Sequence, residues 1–292
     1  MIIQNIIKSI RLYQFHKNII IFAPLFFANQ LFNLEKVLLV LIAFIIFILA
    51  SGAIYIINDI KDKNRDILHP IKKDRPIASG SLRITYAIVI VIVLSILVFF
   101  ISYRALRPDF FYIILSYYLL MLFYTLSGRD MAIIDVLVVS CGYVLRVLAG
   151  VVVISVEISP WLVICTFFAA NILLLGKRYS EIEIIDRMKA MEYRAVFKVY
   201  DENLLQQFLN INYSCAILSY CLYTISGRTI EVHHTKYLYL TIPFVIYGII
   251  RFQYLLKNTR LLKEPELFFL KDKYSLANII LWLLSFYIIS RF

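Results

Sequence analysis

The chain has 292 residues, is 62% hydrophobic and carries a formal net charge of +11, with a mean hydropathy of +0.81. A soluble domain is about 45–50% apolar, and the apolar runs here are too long and too nearly free of charge for a soluble core, which points to an all-helical integral membrane protein. The four cysteines, Cys141, Cys165, Cys215 and Cys221, lie within apolar runs without CxxC or Cys/His spacing. That argues against a zinc site or disulfide framework and reads as small core residues.

The N-terminus shows no cleavable signal pattern. Ile2, Ile3, Ile6, Ile7 and Ile10 share one helical face, with Lys8 and Arg11 elsewhere, so residues 1–17 predict a short interfacial helix. Nine apolar spans follow at about 18–34, 37–57, 84–103, 109–127, 131–154, 159–176, 204–225, 236–255 and 274–290. Pro24 lies in the first and Pro243 in the eighth. No linker or low-complexity stretch divides the chain, so residues 1–292 read as one domain.

Basic residues orient the spans. With the N-terminus inside, the outer segments hold six of the 30: Lys36, Arg104, Arg107, Arg228, Lys236 and Arg291. This asymmetry accounts for the net charge without a nucleic-acid partner. The long inner loops are 58–83, 177–203 and 256–273, so the polar chemistry faces the cytoplasm.

The loop at 58–83 opens directly on an apolar run. Asp59, Asp62 and Asp66 are spaced i, i+3 and i+7, which puts them on one helix face beside Asn58. Hard oxygens at that spacing suit Mg²⁺, which bridges a few carboxylates to substrate phosphates. The bland alternative is a solvated helix end with local ion pairs. Lys61, Lys63 and Arg65 lie on other faces as surface charges. His69, Lys72, Lys73 and Arg75 follow among Pro70, Pro76 and Gly80, whose turn-forming character predicts an irregular, fixed loop. Lys72, Lys73 and Arg75 are placed to reach phosphate oxygens, and an arginine grips two at once. His69 reads as a phosphate donor.

Arg146 lies inside the fifth span, where a charge is functional or paired by default. Two readings stay open: a link to Asp135 through other helices, or a phosphate contact. Span six ends in Lys177-Arg178-Tyr179-Ser180-Glu181. Tyr179 either orients a phosphate or belongs to an aromatic belt. No nucleophile–His pair is legible, and His233-His234 fall in an outer loop.

The string Asn58-Asp59-x-x-Asp62-x-x-x-Asp66 followed by Arg75-Pro76 resembles the first aspartate-rich motif of the UbiA superfamily of intramembrane prenyltransferases, as does the nine-span layout. Aromatic prenyltransferases of that superfamily carry a second aspartate-rich motif where this chain has Gly176-Lys177-Arg178-Tyr179-x-Glu181. That string resembles the polyprenyl-phosphate (decaprenyl-phosphate) phosphoribosyltransferase branch. So do His69-Pro70, Tyr143 to Gly150, Glu264-Pro265-Glu266 before Asp272, and Gln14-Phe15-His16-Lys17-Asn18.

The resemblance implies a UbiA-like helical bundle with a central cavity open to the cytoplasm, in a bacterial-type cytoplasmic membrane. It implies transfer of 5-phosphoribose from phosphoribosyl pyrophosphate to a polyprenyl phosphate, with Mg²⁺ or Mn²⁺, for a cell-envelope sugar. Asn58, Asp59, Asp62 and Asp66 would hold the metal. Lys17, Asn58, His69, Lys72, Lys73, Arg75, Arg146, Lys177, Arg178, Tyr179 and Glu181 would bind substrates. The rival enzyme is an aromatic prenyltransferase with a polyprenyl diphosphate donor and a 4-hydroxybenzoate-like acceptor. The rival from another class is a transporter or lipid-binding protein.

Overall fold

A computed structural model of the chain describes residues 2–68, 72–185, 195–258 and 271–291. All regular structure among them is helical, and the chain divides into two compact units, Met1–Ile158 and Ser159–Phe292.

In the first unit, α1 (Ile2–Ile10) leads into a 3-10 segment (Leu12–Phe22) and a short α2 (Ala23–Phe27). The long α3 (Leu34–Leu68), α4 (Ile84–Ala105), α5 (Pro108–Leu126) and α6 (Ile134–Val153) follow. α3 packs against α1, α4, α5, α6 and the 3-10 segment. Its buried Val40, Ala43, Phe47 and Ala50 meet Phe110, Ile114 and Tyr117 of α5 and Ala149 of α6 in one core. The Phe47 ring lies edge-on to Tyr117 with centroids 5.2 Å apart. Gly150 of α6 admits the backbone of the 3-10 segment, because a Cβ there would collide with the Ile21 carbonyl oxygen.

A smaller core sits at the end of α3. Ile56, Ile77, Leu82 and Ala87 are buried, with Ile6 and Ile10 of α1 and Ile60 packed against them. The expected apolar face of α1 therefore docks partly on the protein, while Ile7 stays exposed.

The second unit holds α7 (Pro160–Ile185), α8 (Glu202–Ile225), α9 (Gly227–His233), α10 (Ile242–Asn258) and α11 (Lys273–Ile289). α7 runs along α8, and α10 along α11. Trp282 Nε1 donates to Tyr220 Oη at 2.8 Å, and that hydroxyl pairs with Thr241 Oγ1 at 2.7 Å.

Among the described residues, six helices are long and apolar enough to cross a membrane, against the nine spans expected. The first expected span is not one helix. Pro24 starts a new short helix after the 3-10 segment, since proline lacks the N–H that would continue the ladder. α8 carries Gln206, Gln207, Asn210 and Asn212 in its first turns, which lowers its hydropathy, and α11 has only 17 residues. Conversely, α3 overruns its expected end at 57. Its 35 residues extend roughly 50 Å at about 1.5 Å per residue, well beyond a hydrocarbon core of roughly 30 Å. The extra turns carry the aspartates. Cys141, expected in the core, is exposed.

Arg251 of α10 and Asp272, at the head of α11, form a staple between these two helices. Arg251 Nη2 and Nε donate to the two carboxylate oxygens at 2.8 and 3.0 Å. Asp272 also caps α11 by accepting from the Ser275 amide at 2.9 Å. The Arg251 hydrogen bonds, then those of Ser275, hold the Asp272 carboxyl well below its ordinary value of 3.8. A depressed carboxylate stabilises the fold above its unfolded pKa and loses that contribution as pH falls through the folded one. The gap in thermal midpoint between wild type and Asp272→Asn should therefore stay constant from pH 8 to about pH 5 and narrow only in more acid buffer. A gap that closes between pH 8 and 6 would contradict the staple.

Candidate functional site

The acid face of α3 exists because the helix continues past its apolar segment without a breaker. Asn58, Asp59, Asp62 and Asp66 all lie on its last turns, as their spacing predicts. Asp59 is 2% exposed and Asp66 4%. Carboxylates this buried require cations or donors.

Three arginines supply them. Arg75, delivered by the short 3-10 turn at Lys72–Asp74, bridges two turns of α3: its Nη1 donates to Asp66 Oδ2 at 2.7 Å and to Asp59 Oδ1 at 3.1 Å. Arg11 also donates to Asp59 Oδ1. It sits at the junction of α1 and the 3-10 segment with a left-handed backbone, φ 56°, and its guanidinium lies 5.0 Å from the centre of the Tyr55 ring. The third arginine, Arg129, stands in the turn between α5 and α6 and donates to Asp62 Oδ2. Burial opposes the Arg129 charge, but the hydrogen bond to Asp62 and its field outweigh that cost, so the pKa is raised. The second oxygen, Asp62 Oδ1, is buried without a hydrogen-bond partner.

Further contacts lock this frame. Lys61 Nζ donates to the Thr125 and Leu126 carbonyls, each at 2.6 Å, and so caps the C-terminus of α5. Thr125 Oγ1 donates to Asn58 Oδ1, and Arg65 pairs with Asp130 at 3.4 Å. Lys61 and Arg65, expected as surface charges, thus tie α3 to the α5–α6 turn. On the other flank, Lys8 Nζ donates to the Asp74 carbonyl at 3.2 Å and Asn5 Nδ2 to the Ser81 carbonyl at 3.1 Å. Lys73 is exposed, Lys72 half-buried, and His69 lies outside the described residues.

Among the described residues, no three His, Cys, Asp or Glu side chains converge into a ready metal cage. The donor set still fits a hard divalent cation. It consists of carboxylate and amide oxygens on one face, one of them the unpartnered Asp62 Oδ1. In the structure described, guanidinium groups take the positions around these oxygens.

Arg146 is held by the protein. Its Nε donates to Asn18 Oδ1 at 2.7 Å, Nη1 to the Gly142 carbonyl at 2.8 Å and Nη2 to Tyr117 Oη at 3.0 Å. The rings of Tyr117, Tyr143 and Phe47 surround it at 4.9, 5.2 and 5.8 Å. Neither Asp135 nor any other carboxylate is among these partners, and through Asn18 the network fixes the segment that carries half-buried Lys17.

In the second unit, the end of α7 carries Lys177 to Glu181. Gly176 lets the Phe252 ring of α10 approach to where a Cβ would stand 2.8 Å away. Lys177 is half-buried. Arg178, 3% exposed, donates to Glu181 Oε2 at 3.1 Å. Tyr179 is buried and donates to Glu202 Oε1 at 2.9 Å, so it is no belt residue. Asp186, Glu264 and Glu266 lie outside the described residues.

Arg11 and Arg129 were not singled out from sequence. A signal existed for Arg129: Arg129-Asp130 is the polar break between two apolar spans, on the side assigned to Asp62.

The sequence profile described as the UbiA prenyltransferase family matches residues 19–278. A decaprenyl-phosphate phosphoribosyltransferase of Corynebacterium glutamicum is 31% identical, over 83% of this chain and 74% of that protein. One of Mycolicibacterium smegmatis is 27% identical, over 97% of this chain and 91% of that protein. The fold matches that of a UbiA homolog from Archaeoglobus fulgidus, solved with DMAPP and Mg²⁺. The TM-score is 0.74 at 16% identity, over 98% of this chain and 99% of the other.

The Arg129–Asp62 link is testable by a double-mutant cycle. Arg129→Ala and Asp62→Asn should each lower the thermal midpoint, and the double variant should lose less than the sum, with a coupling of roughly 0.5–3 kcal/mol. Strict additivity would remove the pair from the frame of the site.

Proposed function

The chain belongs to the UbiA prenyltransferase family, and on that premise we propose that it transfers 5-phosphoribose from phosphoribosyl pyrophosphate to a polyprenyl phosphate, releasing pyrophosphate. The observation that carries this reading is the likeness to decaprenyl-phosphate phosphoribosyltransferases over most of their own length. The acid face ringed by arginines supports it as a place for a metal-bound diphosphate. The basic end of α7, where the prenyl-diphosphate branch would carry aspartates, supports a donor other than a prenyl diphosphate. The family match runs through both compact units, consistent with residues 1–292 acting as one catalytic domain.

In this reading the C1–O bond of the donor breaks, its electron pair leaves with the diphosphate, and an oxygen of the lipid phosphate bonds to C1. The acceptor is already an anion, so no strong general base is required. Asn58, Asp59, Asp62 and Asp66 would hold a divalent cation, Mg²⁺ or Mn²⁺. The chemistry that cation supplies when bound is neutralisation of charge on the leaving diphosphate. Arg11, Arg75 and Arg129 add donors where that charge develops, which favours the transition state over the ground state. Lys17, His69, Lys72, Lys73, Lys177 and Arg178 are assigned to the remaining phosphates of donor and acceptor. Tyr179 and Glu181 orient that basic strip through Glu202 and Arg178. Arg146 contributes indirectly, by fixing Asn18 next to Lys17. The N-terminus and the acid face lie on the cytoplasmic side of a bacterial inner membrane, as the scarcity of basic residues in the outer segments supports. The product would supply a cell-envelope sugar.

Membranes containing the protein, incubated with labelled phosphoribosyl pyrophosphate, Mg²⁺ and polyprenyl phosphate, should move label into the lipid phase. Asp59→Asn and Asp62→Asn should each lower that transfer at least 100-fold, about the effect of removing one preorganised charge-stabilising group. Absence of transfer by wild type, together with prenylation of hydroxybenzoate from a prenyl diphosphate, would replace this reaction with the rival one.

A further inference from the structure

The aspartates of α3 and their arginines form a mutually paired electrostatic set, with Asp130 at its edge 3.8 Å from Arg129 Nε. Three carboxylates, at Asp59, Asp62 and Asp66, face three guanidiniums, at Arg11, Arg75 and Arg129. All six belong to one compact unit. Asp59 and Asp66 are buried, and so is Arg129. A metal ion that goes beyond the unpartnered Asp62 Oδ1 to the other bonded oxygens has to displace a guanidinium. It then lies beside the displaced cation, which is left partly desolvated and has lost its nearest anion, and a poorly paired charge in such a place is unfavourable. A diphosphate that arrives alone meets carboxylates of its own sign. Arriving together, the two partners exchange: the metal takes the carboxylates, and the guanidiniums turn to the phosphate oxygens, which they grip in forked geometry. The two charges offset each other, so the pair adds less net charge than the diphosphate does alone.

We propose that Arg11, Arg75 and Arg129 are exchangeable counter-ions that stand in for the metal on Asp59, Asp62 and Asp66, so that the site takes up a divalent cation much more tightly together with a diphosphate than alone. Arg75 is the central member, because one Nη1 spans Asp59 and Asp66. Arg129 gates Asp62, whose other oxygen, Oδ1, already lacks a hydrogen-bond partner. The mobile part of each arm is its side chain. The anchors stay in place: α1 is tied to the 72–82 segment by Asn5 and Lys8, and the α5–α6 turn is tied to α3 by Lys61. The inference rests on that part of the proposed function which brings a metal and a diphosphate to this face. It is indifferent to the group that the diphosphate carries.

The test is metal binding to the full-length, detergent-solubilised protein. Retention of Mn²⁺ on the protein is measured by ultrafiltration at buffered free Mn²⁺, with and without inorganic pyrophosphate. Wild type should bind Mn²⁺ about tenfold or more tightly with pyrophosphate present, within the usual range of coupling between sites. By reciprocity, Mn²⁺ should raise retention of labelled pyrophosphate by the same factor. Arg75→Gln and, independently, Arg129→Gln free carboxylates from a competitor. Each should tighten binding of Mn²⁺ alone several-fold and shrink the gain from pyrophosphate, the reverse of what loss of a metal-site residue does. Equal Mn²⁺ affinity of wild type with and without pyrophosphate overturns the proposal, whatever the variants do. So does binding of Mn²⁺ alone that is unchanged or weaker in those variants that elute as folded protein. Coupled binding in a chain that transfers no labelled phosphoribose supports this inference and removes only the proposed reaction.

Discussion

A carboxylate withdrawn from water must find a cation, and in this chain that requirement is met by segments far from the helix that bears it. Asp59 and Asp66 are fixed in place by α3, which continues beyond any length a bilayer needs. The partners of Asp59, Asp66 and the neighbouring Asp62 come from the end of α1, from the turn after α3 and, for Asp62, from the turn between α5 and α6. Each of these segments has its own reason to be where it is. α1 lays Ile6 and Ile10 on the small core of Ile56, Ile77 and Leu82, and the α5 terminus is capped by Lys61. The polar site therefore stands on apolar packing and helix capping, and the arginines reach it from rigid bases.

The same logic explains why the two kinds of buried charge in the first unit differ. At the end of α3, anions and cations alternate, and the whole set is close to neutral. Deeper in the unit, Arg146 has only neutral partners: an amide, a carbonyl, a hydroxyl and three ring faces. The first arrangement is able to exchange an internal partner for an outside ligand of the same sign. The second has each of its three guanidinium nitrogens bonded to a protein group, which makes it a fastening for the 3-10 segment.

The aspartate face was legible in the sequence because its spacing repeats within one helix. The positions i, i+3 and i+7 share a face whatever the tertiary structure does. Arg75 was singled out for substrate phosphates, and its place across Asp59 and Asp66 is a tertiary fact that spacing did not announce. Arg11 and Arg129 were not legible, since they stand 48 and 67 residues from the aspartates they hold, and local periodicity carries no information about such pairings. For Arg146, depth in an apolar run announced a need for partners. It gave no hint that these would be Asn18 and Tyr117 rather than an acid. Apolar content likewise marked the stretch after residue 18 as membrane-like, but hydropathy does not distinguish a continuous α-helix from a 3-10 segment broken at Pro24. Tyr179 belongs to the same lesson: its type suited an interfacial belt, and its burial against Glu202 is a tertiary fact.

The cage around Arg146 also bears on how the protein is made. A helix that enters a bilayer with an arginine near its centre meets a penalty of roughly 2.5–3.5 kcal/mol on insertion scales. Of the groups that relieve it, Asn18, Phe47 and Tyr117 come from segments synthesised before α6, while Gly142 and Tyr143 belong to α6 itself. The chain is thus ordered so that the receiving surface leaves the ribosome ahead of the charge it accommodates, and a vectorial process delivers α6 to a place already prepared for it.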